Sequence, residues 1–141
     1  MDAVEYLRQV NRLENEIKRI RCKITHFEEL SNDMKLGYEE RVQNGKADKE
    51  PAFAKYVDMK IDAERELVTK LEEYDRTYYA VESVINQVGG NEAMVLFRIY
   101  ISNEYMCDIA ADMKYSSEGI RKIHERGLLK VNEILENQLN L

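Results

Sequence analysis

The chain has 141 residues, 34% of them charged, a formal net charge of −6 and one proline, Pro51. That length fits one or two small units, and no apolar run approaches the roughly 18 residues of a membrane span. The acidic total argues against a protein that coats nucleic acid non-specifically, because neutralisation of phosphates by cations dominates such binding.

Helix formers dominate, and the period-two runs of β-branched residues that strands need are absent, so an all-α class is predicted. Near the N-terminus, apolar residues step by three and four: Ala3, Tyr6, Val10, Leu13, Ile17, Ile20, Ile24, Phe27, then Ser31 and Met34. This is a heptad seam with one polar interruption at Ser31. Asn44 to Pro51 is a polar break, with a glycine after one helix and a proline at the start of the next. A second stripe follows: Phe53, Val57, Leu67, Leu71, Tyr74, Tyr78, Val81, Ile85 and Val88. Two helices of about 36–40 residues, roughly 54–60 Å at 1.5 Å per residue, joined by a short connection make a long antiparallel hairpin the simplest arrangement. This arm is assigned residues 1–88. A lone hairpin leaves part of each stripe wet, so self-association into a homo-oligomer through the coiled coil, or packing on the C-terminal unit, is expected. Tyr74, Tyr78 and Tyr79 read as seam packing, since their flanks are acidic and a base-stacking platform wants cations.

Gly89-Gly90 marks a hinge, with Asn91 as N-cap of the next helix. Residues 89–141 then read as three helices. The first runs about Glu92–Ile101 and turns Val95, Leu96, Ile99 and Tyr100 inward. The second runs about Tyr105–Met113 and buries Met106, Ile109, Ala110 and Met113. Lys114-Tyr115 forms a turn, and Ser116 caps a longer helix. On that helix Ile120, Ile123, Leu128, Val131 and Leu135 form the core face, while Ser117, Glu118, Arg121, Lys122 and Glu125 lie opposite. From Ser116 to Lys130 there are four cations and two anions, a weakly basic element on an acidic body. Polar side chains near the N-terminus of such a helix are what reading the major groove requires.

These residues carry a resemblance. Arg98-Ile99-Tyr100-Ile101, Asp108-Ile109-Ala110, Tyr115-Ser116, Ile120-Arg121-Lys122-Ile123 and Arg126-Gly127-Leu128 resemble region 4 of bacterial sigma factors. They are particularly similar to the small sigma-like regulators of phages and prophages of Gram-positive bacteria. The resemblance spans about Val95–Val131. It implies a helix-turn-helix that reads double-stranded promoter or operator DNA inside a bacterial host cell, with RNA polymerase as a further partner. It assigns base contacts to Ser117, Glu118, Arg121 and Lys122. Phosphate contacts are expected from Lys114, Ser116, Arg126 and Lys130. Primary sigma factors carry arginines at the positions of Ser117 and Gly119, which this chain lacks. No counterpart of sigma region 2 is visible, so a phage-type transcriptional regulator is expected rather than a complete sigma factor.

No phosphate-binding glycine loop, metal-ligand cluster or nucleophile elbow occurs, so neither enzyme activity, cofactor nor metal is expected. Cys22 and Cys107 match no metal or redox spacing and read as reduced thiols. His26 and His124 read as surface or boundary residues. The opening MDAVEYLRQVNRLE lacks the apolar core of a signal peptide, so a cytoplasmic location without membrane contact is expected. The alternative expectation is a module that binds protein, RNA polymerase or a phage packaging component, through the coiled coil and the helix-turn-helix fold without touching DNA.

Overall fold

A computed structural model describes residues 1–45 and 51–140. Among these, every regular element is a helix: α1 (Ala3–Gln43), α2 (Phe53–Val88), α3 (Gly90–Tyr100), α4 (Met106–Met113) and α5 (Ser117–Leu139). Of the expected break between α1 and α2, Lys46 to Glu50 lie outside the described residues. Among the described residues, no helix is long and apolar enough to cross a membrane.

The chain forms two compact units. One comprises Asn15–Glu73; the other joins Met1–Glu14 to the chain from Tyr74 onward. The segment after Gly89 therefore belongs to a wider unit that includes the first turns of α1 and the last turns of α2. Hydrophobic burial explains the extent. Ala3, Leu7, Val10, Val81, Val84 and Ile85 share one core with Leu96, Tyr100 and Val131. A second core holds Val95, Ile109, Ala110, Ile120 and Ile123. Within this unit the Asp2 side chain accepts from Glu5 N–H at 2.8 Å, capping α1, and Asn132 of α5 accepts from Ala3 N–H at 2.9 Å. The start of α1 is thus tied to α5 by a backbone hydrogen bond as well as by packing.

In the unit Asn15–Glu73, Lys70–Glu16 (3.0 Å), Lys23–Glu66 (3.6 Å) and Lys60–Glu28 (3.8 Å) pair positions in opposite order along α1 and α2, the signature of an antiparallel hairpin. Ser31, the polar seam position, is buried and satisfied by donating to the Glu28 carbonyl at 3.0 Å. In the other unit Tyr74 Oη donates to Glu14 at 3.1 Å in the same antiparallel sense. Burial and that acceptor push the Tyr74 phenol up to about 12.

Several expected faces shift by one position. Leu7 is fully buried where Tyr6 was expected, and Val84 and Ala63 join the buried set. An untwisted helix drifts about 20° per heptad against a strict repeat, so the buried stripe migrates. Tyr74 and Tyr78 stack at 6.1 Å, but Tyr79 points to solvent. Val57, expected on the seam, is also exposed.

Gly89 and Gly90 both adopt left-handed backbone, with φ of 70° and 62°. Consequently α3 begins at Gly90 with Gly89 as N-cap, and Ala93 N–H donates to the Gly89 carbonyl at 3.1 Å. Asn91 lies inside the first turn rather than capping it, and its amide donates to Tyr115 Oη at 3.0 Å. Met106 is not buried. It lines a cleft of about 290 Å³ with Arg8, Asn11, Tyr100 and His124.

Candidate nucleic-acid interface

The turn between α4 and α5 is built from two local devices. Lys114 ends α4 in left-handed backbone (φ 62°, ψ 40°), and Lys114 and Tyr115 N–H groups both close onto the Ala110 carbonyl. A side chain in this conformation costs about 1–2 kcal/mol relative to right-handed backbone. Ser116 is extended, and its hydroxyl accepts from Gly119 N–H at 3.0 Å, the N-cap expected from the sequence. Ser116→Ala should therefore cost about 1 kcal/mol of stability, read as a lower urea midpoint with an unchanged slope.

At 100° per residue, Ile120, Ile123, Gly127 and Val131 share the inner side of α5, and all four are buried. Opposite them, Glu118, Arg121, Lys122 and Glu125 stand exposed in the N-terminal half, beside exposed Ser117. Arg121 and Lys122 side chains are 61% and 64% accessible. They straddle the line of Glu118 and Glu125. Glu118 lies 3.7 Å from Arg121 and 3.9 Å from Lys122, and Glu125 lies 4.0 Å from Arg121. These are exposed pairs at helical spacing, each a weak contact that an incoming phosphate or base edge can replace.

The expected phosphate contacts divide into two groups. Lys114 and Ser116 stand exposed at the turn, adjoining Ser117, Glu118, Arg121 and Lys122. Arg126 and Lys130 are turned toward α3, where both reach Glu92 at 3.5 and 3.6 Å. Glu92 is only 16% exposed. Its carboxyl is held below the usual range, first by its own backbone N–H at the start of α3, then by Lys130 and Arg126.

Three contacts fix α5 from behind. Gly127 allows the crossing with α3: a Cβ there would meet two Leu96 carbons at 3.1 Å. Tyr100 Oη and His124 Nε2 share a hydrogen bond of 2.9 Å with their rings stacked. Asn132 caps α1. Arg98 clamps the preceding helices, donating to both Glu104 oxygens at 2.9 and 2.7 Å and to Asp112 of α4 at 2.6 Å. The clamp holds the Glu104 carboxyl below the usual carboxylate range. Spacing rules did not reveal it, because Glu104 and Asp112 reach Arg98 only after Asn103 turns the chain with φ of 57°.

His124 gives a pH test. Burial lowers its affinity for a proton below the ordinary value of 6.5, opposed by neighbouring Glu125. The unfolded chain binds the proton more readily, so the His124 contribution is present above 6.5 and falls as the pH drops below that value. Denaturant midpoints between pH 7.5 and 5.5 should fall in the wild type and stay flat in His124→Phe. Glu92 and Glu104 act in a separate window, below about 4.5.

Among the described residues, no group of histidine, cysteine and carboxylate side chains could hold a metal ion. No protein-family model matches the chain, and neither do the curated proteins or the solved structures with which it was compared.

Proposed function

We propose that the chain is a phage-type transcriptional regulator that reads duplex DNA with the N-terminal half of α5. The observation that carries this reading is one geometry: a Ser116-capped helix, anchored on its inner side, presents Arg121 and Lys122 to solvent beside Ser117 and Glu118. In this role Arg121 and Lys122 donate to base edges in the major groove. Glu118 accepts from a cytosine amino group, and Ser117 contacts either kind of group. Lys114 and the Ser116 end of the helix hold a phosphate. Arg126 and Lys130 flank the groove from the α3 side, where Glu92 moderates their charge.

A protein-binding module is the second reading. It is favoured by the anions interleaved with every named cation of α5, Glu118 and Glu125 near Arg121 and Lys122, and Glu92 near Arg126 and Lys130. Selection from random duplexes followed by mobility shift at several salt concentrations separates the two. A DNA reader enriches a motif and loses affinity steeply with salt, with a slope near −0.9 per phosphate neutralised. A chain that shifts no duplex at low salt is the protein-binding module.

A further inference from the structure

We propose that the cleft between the first turns of α1 and the turn joining α3 to α4 binds a small organic carboxylate with an apolar body. The cleft lies wholly within the unit that joins Met1–Glu14 to the chain from Tyr74 onward, and the proposal does not rest on the reading of DNA by α5. Its volume, about 290 Å³, is at the small end of the range for ligand sites and suits a metabolite-sized molecule.

Two kinds of wall meet in it. Tyr100 is buried, and Ile99 and His124 are half-buried. The Tyr100 and His124 polar atoms are engaged with each other at 2.9 Å, so this pair offers chiefly ring surface. Met106, whose unbranched side chain adapts to irregular shapes, completes the apolar side. The rest of the lining is polar. Arg8 and Asn11 stand three residues apart on one face of α1, and Asn103 comes from the turn before α4. Among the described residues, the side chains of these three make no hydrogen bond or ion pair. Arg98, Arg126 and Lys130, cations of the same unit, each reach a carboxylate of the chain; Arg8 does not. Burial keeps the His124 ring neutral at neutral pH, which leaves Arg8 as the one charged side chain lining the cleft. One cation balances a carboxylate, whereas a phosphate dianion would be half-compensated. The parallel N–H groups of the guanidinium match the two oxygens of a carboxylate, and the amides of Asn11 and Asn103 supply further donors.

NMR titration of the full chain with benzoate tests the proposal, beside acetate, which lacks the apolar body, and benzamide, which lacks the charge. Benzoate should shift the side-chain amide signals of Asn11 and Asn103 and the ring signals of His124 saturably. Acetate should need higher concentrations, and benzamide should leave these signals in place. Arg8→Gln should weaken benzoate binding at least about tenfold, the loss of hydrogen bonds to a charged group. Arg8 is exposed, so the signals of Ile109 and Ile120 in the second core should stay unmoved in that variant. Asn103→Gly, which keeps the left-handed backbone accessible, removes one amide and should weaken binding by a smaller factor. The absence of a saturable shift up to the solubility of benzoate overturns the proposal. So does binding indifferent to Arg8→Gln, or equal shifts from benzamide. Shifts caused by duplex DNA and by none of the three probes would assign the cleft to a nucleic-acid phosphate and overturn it as well.

Discussion

Arg121→Ala is expected to weaken binding to a cognate duplex by about 1–3 kcal/mol, roughly five- to 150-fold, and to relax sequence preference at one base pair. Two features set the size. The guanidinium stands in solvent, and its partners within the chain, Glu118 and Glu125 at 3.7 and 4.0 Å, are weak exposed contacts. In the proposed role, a bidentate contact to guanine in the groove would replace them with two well-directed hydrogen bonds. Truncation should leave stability nearly unchanged, because most of the side chain stands in solvent and its ion pairs are exposed. Glu118→Gln separates two roles for that carboxylate. If Glu118 chiefly tempers Arg121 and Lys122, affinity for all duplexes rises; if it accepts from a cytosine, affinity falls at that site alone. Anisotropy titrations on the selected duplex and on a scrambled one distinguish these outcomes.

The largest stability effect is expected where α3 crosses α5. Leu96 is fully buried, and two of its carbons lie 3.1 Å from the point where a Cβ on Gly127 would sit. Leu96→Ala should cost about 2–5 kcal/mol, the loss of transfer free energy plus the cavity left behind. Gly127→Ala alone meets opposing effects. Replacing a helical glycine gains about 1 kcal/mol, while the added methyl group crowds Leu96. In the Leu96→Ala background that crowding is gone, so Gly127→Ala should recover about 1 kcal/mol or more. The two substitutions are therefore non-additive, as residues in contact are. Urea denaturation of the four proteins gives the coupling, and strict additivity would mean that the crossing is not set by this pair.

Much of the fold was legible because the chain is punctuated by residues with narrow conformational preferences. Ser116 caps α5 and Gly89-Gly90 breaks α2 from α3, as expected. Apolar residues at three-four spacing fell on the buried side of α1, α4 and α5 with few exceptions. Contacts that depend on three-dimensional crossing were not legible. A glycine inside a helix is by propensity a weak point; in space Gly127 is where Leu96 of α3 packs against α5. His124 reads as a surface or boundary residue and is half-buried, but its hydrogen bond to Tyr100 was not legible. The joining of residues 1–14 to α5 through Ala3 and Asn132 links positions far apart in sequence, and no local rule anticipates such a contact. Within the candidate interface, the exposure of Ser117, Glu118, Arg121 and Lys122 follows from helix period alone. The turning of Arg126 and Lys130 toward Glu92 required α3 to be in place.

Photocross-linking from single positions on α5 tests the central claim most directly. With Cys22 and Cys107 replaced by serine, a thiol-linked photoprobe is placed by cysteine substitution at Ser117 in one protein and at Glu136 in another, and each is mixed with radiolabelled selected duplex. Position 117 should cross-link to bases lining the major groove, and position 136, five turns along the same helix, should not. Equal labelling from both positions, or labelling from neither under conditions where the protein shifts the duplex, would contradict reading by the N-terminal half of α5.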